Sequence, residues 1–198
     1  MVLGIFLEEC FRRILEANLD QDGYIADNNK INSLLSNNIF GVDINAEAIE
    51  VSIFSLYLTI MDYKNPKTLQ GYKFPDLRNN LLVSDFFDKE IDEKLSDKKF
   101  DLIIGNPPYI RYQYLTAFQR EKQSQVLIKN KMKSNKLINS WVFFLVACIE
   151  LLEKNGTIAF VIPAEIMQVA YAEDLREYLS KHLSKINIIS FNELLFED

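Results

Sequence analysis

The chain has 198 residues, 48% hydrophobic and 25% charged, which is enough to bury one substantial core and is typical of an ordinary globular domain. Its formal net charge of −6 argues against a stand-alone nucleic-acid binder, unless binding rests on a local basic patch or a partner. The apolar run Val51 to Met61 is too short to span a membrane, and no export signal is present, so we expect a cytoplasmic location. Cys10 and Cys148 are expected to be reduced core residues, and the single histidine, His182, predicts no metal site.

The N-terminal half predicts helices that alternate with short buried strands. Apolar periodicity predicts a helix from about Ile5 to Asn18, followed by a polar loop and a short amphipathic piece. IFGVDIN predicts a buried strand, Ile39 to Asp43, and Asn45 can cap the next helix, from about Ala46 to Tyr63. NLLVSDFF then predicts a second short strand that ends in Asp85.

The C-terminal half continues this alternation. A charged segment leads into an apolar strand, Phe100 to Ile104, and the run from Ser140 to Leu152 predicts a buried helix that Asn155 and Gly156 terminate. TIAFVIP predicts a fourth strand, EDLREYLSKHL an exposed amphipathic helix, and INIISF a fifth strand. Helices alternating with mostly apolar strands predict an α/β fold with a doubly wound, mostly parallel sheet.

Three successive predicted strands end in a polar side chain: Asp43, Asp85 and Asn106. Ligands of open α/β sheets bind beyond the carboxyl ends of the strands, where one acid can accept from ribose hydroxyls and another from an adenine amino group. A single acid at a strand end commonly starts a turn or caps a helix instead. All three together favour a ligand site.

The sequence NPPY, Asn106 to Tyr109, directly follows the third strand. The exocyclic amine of adenine is a poor nucleophile, and the Asn106 amide oxygen and the Pro107 carbonyl could each accept one of its hydrogens and aim its lone pair at a methyl donor. Two prolines hold such a loop rigid, and Tyr109 offers a face for an extruded base. Asn-Pro-Pro is also a common loop start, but this position favours catalysis.

DLIIGNPPYIR, IFGVDINAEAIEVSIFSLYLTIM and LLVSDFF resemble the catalytic, cofactor-ribose and cofactor-adenine motifs of S-adenosylmethionine-dependent adenine-N6 DNA methyltransferases. Later segments resemble the same domain in type IIG and related restriction-modification methylases, so the resemblance covers nearly the whole chain. It implies a Rossmann-like class I methyltransferase fold, S-adenosyl-L-methionine as cofactor, and direct methyl transfer to adenine N6 in DNA. It implies no metal and no covalent intermediate.

The same resemblance implies two groups of site residues. The group that clasps the target adenine is Asn106, Pro107, Pro108 and Tyr109. The group that binds the cofactor is Gly4, Phe6, Asp43, Ile44, Asp85 and Phe86. Asp43 would bind the ribose, Ile44 would pack on the cofactor's adenine, and Asp85 and Phe86 would hold that ring.

The chain departs from the family pattern at both ends. Only the tail of the first motif, GIFLEECFRRIL, is present, so we expect the first, central strand and its glycine-rich turn to be lacking. Unpaired buried backbone groups on its neighbours would cost about 1–3 kcal/mol each. A target-recognition region is also expected to be absent, so residues 1–198 are interpreted as a partial catalytic domain. Its expected partners are DNA and the rest of a restriction-modification protein or a specificity chain.

Basic residues cluster after NPPY, seven between Ile110 and Leu137 against the single acid Glu121. Six of them are predicted DNA-phosphate contacts: Arg111, Arg120, Lys122, Lys129, Lys131 and Lys133. A solvated surface loop would have the same composition.

Two other functions stay open. The side-chain amide of a protein glutamine poses the same chemical problem as adenine N6, so a protein glutamine-N5 methyltransferase could use NPPY, although the basic insertion favours DNA. An inactive fragment, either a non-catalytic remnant or an interaction subunit, is the other alternative.

Overall fold

The computed structural model of the protein describes residues 2–134, 136–167 and 172–190. The chain divides into two compact units, Met1–Ser96 and Asp97–Asp198. Each unit combines helices with one pair of short parallel strands, which confirms the α/β prediction. In the described part of the chain, no helix has both the length and the apolar character needed to cross a membrane.

Over its described residues, 2–96, the first unit contains two strands and four α-helices. In chain order they are α1 (Val2–Glu16), α2 (Asn28–Asn38), β1 (Gly41–Asp43), α3 (Ala46–Tyr63), β2 (Leu81–Val83) and α4 (Lys89–Leu95). β1 and β2 pair in parallel, with Asp43 opposite Val83. Helices α1 and α3 pack on each other, and their fully buried side chains, including Phe11, Leu15 and Leu56, form the core of this unit.

Local sequence signals set the boundaries of α3. The Asn45 side-chain oxygen accepts hydrogen bonds from the backbone N–H groups of Glu47 and Ala48, at 2.8 and 3.2 Å, which confirms the predicted cap. The strand before it is shorter than predicted, because Ile39 is taken up by the end of α2, where its N–H donates to the Leu35 carbonyl at 3.1 Å.

The second unit is built around a buried helix. Its elements are β3 (Phe100–Gly105), α5 (Ala117–Lys129), α6 (Ser140–Glu150), β4 (Leu152–Phe160) and α7 (Ala172–His182). β3 and β4 pair in parallel, so that Gly105 lies opposite Phe160. Trp141, Val142 and Val146 of α6 pack with Leu127 of α5 and Leu175 of α7, which confirms the buried helix.

Helix α5 was not among the predicted elements, since its segment was interpreted as basic insertion or surface loop. A capping box starts it: the Gln119 N–H donates to Thr116 Oγ1 at 3.2 Å, and the Thr116 N–H donates to Gln119 Oε1 at 2.9 Å. The spacing Thr-x-x-Gln is a known helix-start signal and could have revealed this helix.

The prediction that Asn155 and Gly156 end the buried helix is wrong. The helix ends at Glu150, and both residues lie inside β4, where Asn155 has a φ of 69° and the β3–β4 register shifts. Gly156 is needed there because a Cβ atom would lie 2.8 Å from the Phe100 carbonyl oxygen. The dipeptide therefore makes an irregularity in the strand.

The predicted fifth strand is also wrong over residues 186–190, which form no regular element. Ile188 and Ile189 are exposed there, and none of the described residues pairs with this stretch. A strand requires a hydrogen-bonded neighbour, so an apolar run alone does not produce one. The last residue of that prediction, Phe191, lies outside the described residues.

Candidate active site

The NPPY loop begins where strand β3 ends. The Gly105 carbonyl accepts a hydrogen bond from the Val161 N–H at 3.1 Å, the last backbone link before Asn106. Pro107 is buried, Asn106 is half-buried, and Pro108 and Tyr109 are exposed. The structure thus places the predicted catalytic residues at the carboxyl ends of two paired parallel strands, as expected for an α/β ligand site.

The Tyr109 hydroxyl joins two oxygens at this edge. Its oxygen lies 2.8 Å from Asn106 Oδ1 and 3.0 Å from the Val161 carbonyl oxygen. The hydroxyl has one proton and can donate it to only one acceptor at a time. Burial raises the pKa of this phenol above its usual value, so the group stays a donor at neutral pH. Tyr109 is therefore both an exposed aromatic face and a direct neighbour of the Asn106 amide.

The structure shows one further residue, Ser140, in contact with the NPPY loop, and the sequence analysis did not predict it. Ser140, at the start of α6, donates its hydroxyl proton to the Pro108 carbonyl at 2.6 Å and accepts the Ile110 N–H at 3.0 Å. The sequence offered no signal for this contact, because the partners are about 30 residues away along the chain. Only the packing of α6 brings them together.

Asp43 is the last residue of β1, and Asp85 comes two residues after the end of the adjacent parallel strand β2. The Ser84 N–H donates to the Asp43 backbone carbonyl at 3.0 Å, so both acids lie at the same edge of the β1–β2 pair. Asp43 Oδ1 accepts the Asn45 N–H at 2.8 Å, and Asp85 Oδ1 accepts the Phe87 N–H at 3.0 Å. Both carboxylates therefore start turns, and a carboxylate offers about four acceptor positions in all.

Two apolar residues accompany these acids. Ile44 is 72% exposed, which leaves its side chain accessible to a planar group, and Phe86 is half-buried. The next residue, Phe87, is buried and anchors the end of β2. Within the described residues, no group of three or more His, Cys, Asp or Glu side chains is arranged to hold a metal ion.

Gly4 and Phe6 lie on helix α1 and not in a turn. A Cβ atom at Gly4 would lie 3.2 Å from Ser52 Oγ of α3, so the glycine permits a close approach of the two helices. Phe6 is half-buried on the same helix. Helix packing accounts for Gly4 without a ligand, and a cofactor contact of either residue stays a prediction.

The predicted phosphate-binding residues differ in their surroundings. Arg120 donates to the Tyr112 and Gln113 carbonyls at 3.1 and 2.8 Å and thereby fixes the short 3₁₀ turn after the loop. Lys129 pairs with Glu150 at 2.9 Å. Of the remaining four, Arg111, Lys131 and Lys133 are exposed, and Lys122 is half-buried.

Residues 37–196 match the model of the Eco57I restriction-modification methylase family. The chain is 29% identical over 167 residues to the type II methyltransferase M.AccI of Acinetobacter calcoaceticus, which covers 80% of this chain and 29% of that protein. It is 28% identical over 170 residues to the type II restriction enzyme and methyltransferase RM.Eco57I of Escherichia coli, covering 77% of this chain and 17% of that protein.

A third relative, the type II methyltransferase M.BstVI of Geobacillus stearothermophilus, is 24% identical over 201 residues, covering 96% of this chain and 32% of that protein. The chain thus spans less than a third of the length of each of these relatives. The family match covers well over half of the chain and includes both strand-end acids and the NPPY loop. The chain therefore belongs to the Eco57I restriction-modification methylase family.

Proposed function

We propose that residues 1–198 form the catalytic part of a site-specific, adenine-N6 DNA methyltransferase of a restriction-modification system. The observation that carries this proposal is the NPPY loop, which leaves β3 at the carboxyl edge of its sheet with Asn106 and Tyr109 side by side. The names of the relatives, which are type II methyltransferases, agree with it.

In this proposal the catalytic loop acts by accepting hydrogens. Asn106 and the Pro107 carbonyl each accept one N–H of the adenine amine, which increases electron density on N6 and orients its lone pair. Tyr109 stacks on the extruded base, and the adjacent prolines keep the acceptors in place before the base arrives. After transfer, the surplus N6 proton passes to water, so no strongly basic side chain is needed.

The residues of the first unit fit S-adenosylmethionine. Its ribose hydroxyls and its adenine amine are hydrogen-bond donors, and Asp43 and Asp85 supply carboxylate acceptors at adjacent strand ends. Ile44 and Phe86 supply apolar surface for a flat ring, and Gly4 and Phe6 are proposed to contact the cofactor from α1. When bound, this cofactor supplies an electrophilic methyl group.

We further propose that the fold is a doubly wound, Rossmann-like α/β fold of the class I methyltransferase type. A cytoplasmic location stays a prediction. DNA is the proposed substrate, and Arg111, Lys131 and Lys133 are proposed phosphate contacts because their side chains are exposed. The rest of a restriction-modification protein, or a specificity chain, would supply the sequence readout.

Methyl incorporation from labelled S-adenosylmethionine tests this function. We expect label in duplex DNA, recovered as N6-methyladenine on mass spectrometry of the hydrolysed DNA. Label confined to glutamine in a protein substrate would support the glutamine-N5 alternative. No incorporation, together with no cofactor binding in titration calorimetry, would support the non-catalytic alternative.

Tyr109→Phe tests whether the hydroxyl contributes beyond stacking. The Tyr109 hydroxyl donates to Asn106 Oδ1 at 2.8 Å and so holds this oxygen in place, and the second lone pair of the oxygen can accept from the adenine amine. Loss of the hydroxyl should therefore lower kcat about tenfold while the stacking face is kept. Tyr109→Ala removes both the hydroxyl and the stacking face, so its kcat in steady-state assays should be lower than that of Tyr109→Phe. Equal kcat for wild type and Tyr109→Phe would contradict the orienting role.

A further inference from the structure

We propose that Ser140 is a positioning residue for the catalytic loop. It does not contact the substrate; it fixes the peptide groups on both sides of Tyr109, and so fixes where the Tyr109 ring and the Asn106 amide lie. The inference rests on the proposed methyl transfer and adds to it a residue outside the NPPY motif.

Ser140 makes three hydrogen bonds to the loop. Its hydroxyl donates to the Pro108 carbonyl at 2.6 Å and accepts the Ile110 N–H at 3.0 Å. Its own backbone N–H donates to the Ile110 carbonyl at 2.9 Å. The residue is completely buried, so water cannot replace these bonds. One side chain and one amide therefore hold the residue on each side of Tyr109.

The two prolines make such an external anchor necessary. Pro107 and Pro108 have no N–H, so their stretch of backbone cannot be held by donating to a neighbouring strand. Ser140 holds the loop instead through the Pro108 carbonyl and the Ile110 amide. It bonds the Pro108 carbonyl and not the Pro107 carbonyl, which in the proposed mechanism accepts a hydrogen of the adenine amine.

Helix capping does not explain these contacts. The N-cap of α6 is Asn139, whose Oδ1 lies 3.5 Å from the Ser140 hydroxyl, while the two shorter bonds of this hydroxyl go to a segment about 30 residues earlier in the chain. Next to Ser140, Trp141 is completely buried, and the Gln123 side chain donates to the Ile138 carbonyl at 3.3 Å. Ser140 therefore ties the loop to the packed core of the second unit.

The test compares Ser140→Ala with Ser180→Ala, whose exposed hydroxyl donates to the Glu177 carbonyl of its own helix at 2.8 Å. We expect Ser140→Ala to lower kcat for DNA methylation at least about tenfold, because small misplacements of reacting groups are costly. The Kd for S-adenosylmethionine should stay unchanged, since the proposed cofactor residues lie in the other unit. Ser180→Ala should behave as wild type. A kcat for Ser140→Ala equal to that of wild type would overturn the proposal.

Amide hydrogen exchange gives a readout that does not depend on activity. In Ser140→Ala, exchange at the Ile110 amide should be at least about tenfold faster, since this amide loses its acceptor. The Met132 amide, bonded to the Leu127 carbonyl in the same unit, serves as internal reference and should not change.

Equal acceleration at both amides would indicate general destabilisation, and no acceleration at either would show that the loop is not held by Ser140. Both results would overturn the proposal. If the wild-type chain does not methylate DNA, the proposed function fails, while the exchange at Ile110 still decides whether Ser140 holds the loop.

Discussion

Asn106→Ala is expected to reduce methyl transfer to DNA by about 100-fold or more, because it removes the side-chain acceptor that the proposed mechanism directs at adenine N6. The measurement is the single-turnover rate of N6-methyladenine formation with saturating cofactor and DNA. The fold should not suffer, since Asn106 is only half-buried at the end of a strand.

Two controls separate a catalytic effect from a general one. Asn187→Ala removes an exposed amide of the same unit and should leave the rate unchanged. The affinity of the Asn106→Ala protein for S-adenosylmethionine should equal that of the wild type. A wild-type rate of transfer in the Asn106→Ala protein would remove the basis for assigning catalysis to the NPPY loop.

Gly156→Ala is expected to lower the free energy of unfolding of the second unit by about 2–3 kcal/mol, as overpacking at a rigid site does. The added Cβ would lie 2.8 Å from the Phe100 carbonyl oxygen and 3.0 Å from the Glu153 carbonyl oxygen. Both atoms belong to backbone, so they cannot move aside as a flexible side chain would. Urea unfolding of the variant and the wild type measures the difference.

Gly105→Ala is the matched control for this effect. Its added Cβ would meet only the Phe160 ring, at 3.4 Å, which is an ordinary contact with a side chain. We expect a change of less than about 1 kcal/mol there. If Gly156→Ala were as stable as Gly105→Ala, the close approach of β3 and β4 at this point would be refuted.

Much of the fold could be predicted because its signals are local. The cap at Asn45, the apolar periodicity up to Tyr63 and the polar end of each strand all depend on residues a few positions apart. Helix α5 has a similar local signal in its capping box at Thr116, but the many basic residues suggested a loop. That error came from weighing composition above spacing.

The errors at Gly156 and at residues 186–190 have a different cause. Asn-Gly can end a helix or form an irregularity in a strand. Which of the two forms here depends on whether Phe100 of the neighbouring strand lies next to Gly156. Likewise, Ile186 to Ile189 have the composition of a strand, but a strand also needs a paired neighbour. Neither condition can be derived from the residues themselves.

The proposed chemistry could be inferred from the sequence alone, because it rests on two acids and an amide at strand ends, two prolines in the loop that follows, and an aromatic ring after them. The tertiary structure decided how that loop is held. The Tyr109 hydroxyl reaches the Val161 carbonyl 52 residues away, and Ser140 reaches Pro108 across 32 residues. Such contacts follow from the register of β3 on β4 and from the packing of α6, and the periodicity of a single segment contains no information about either.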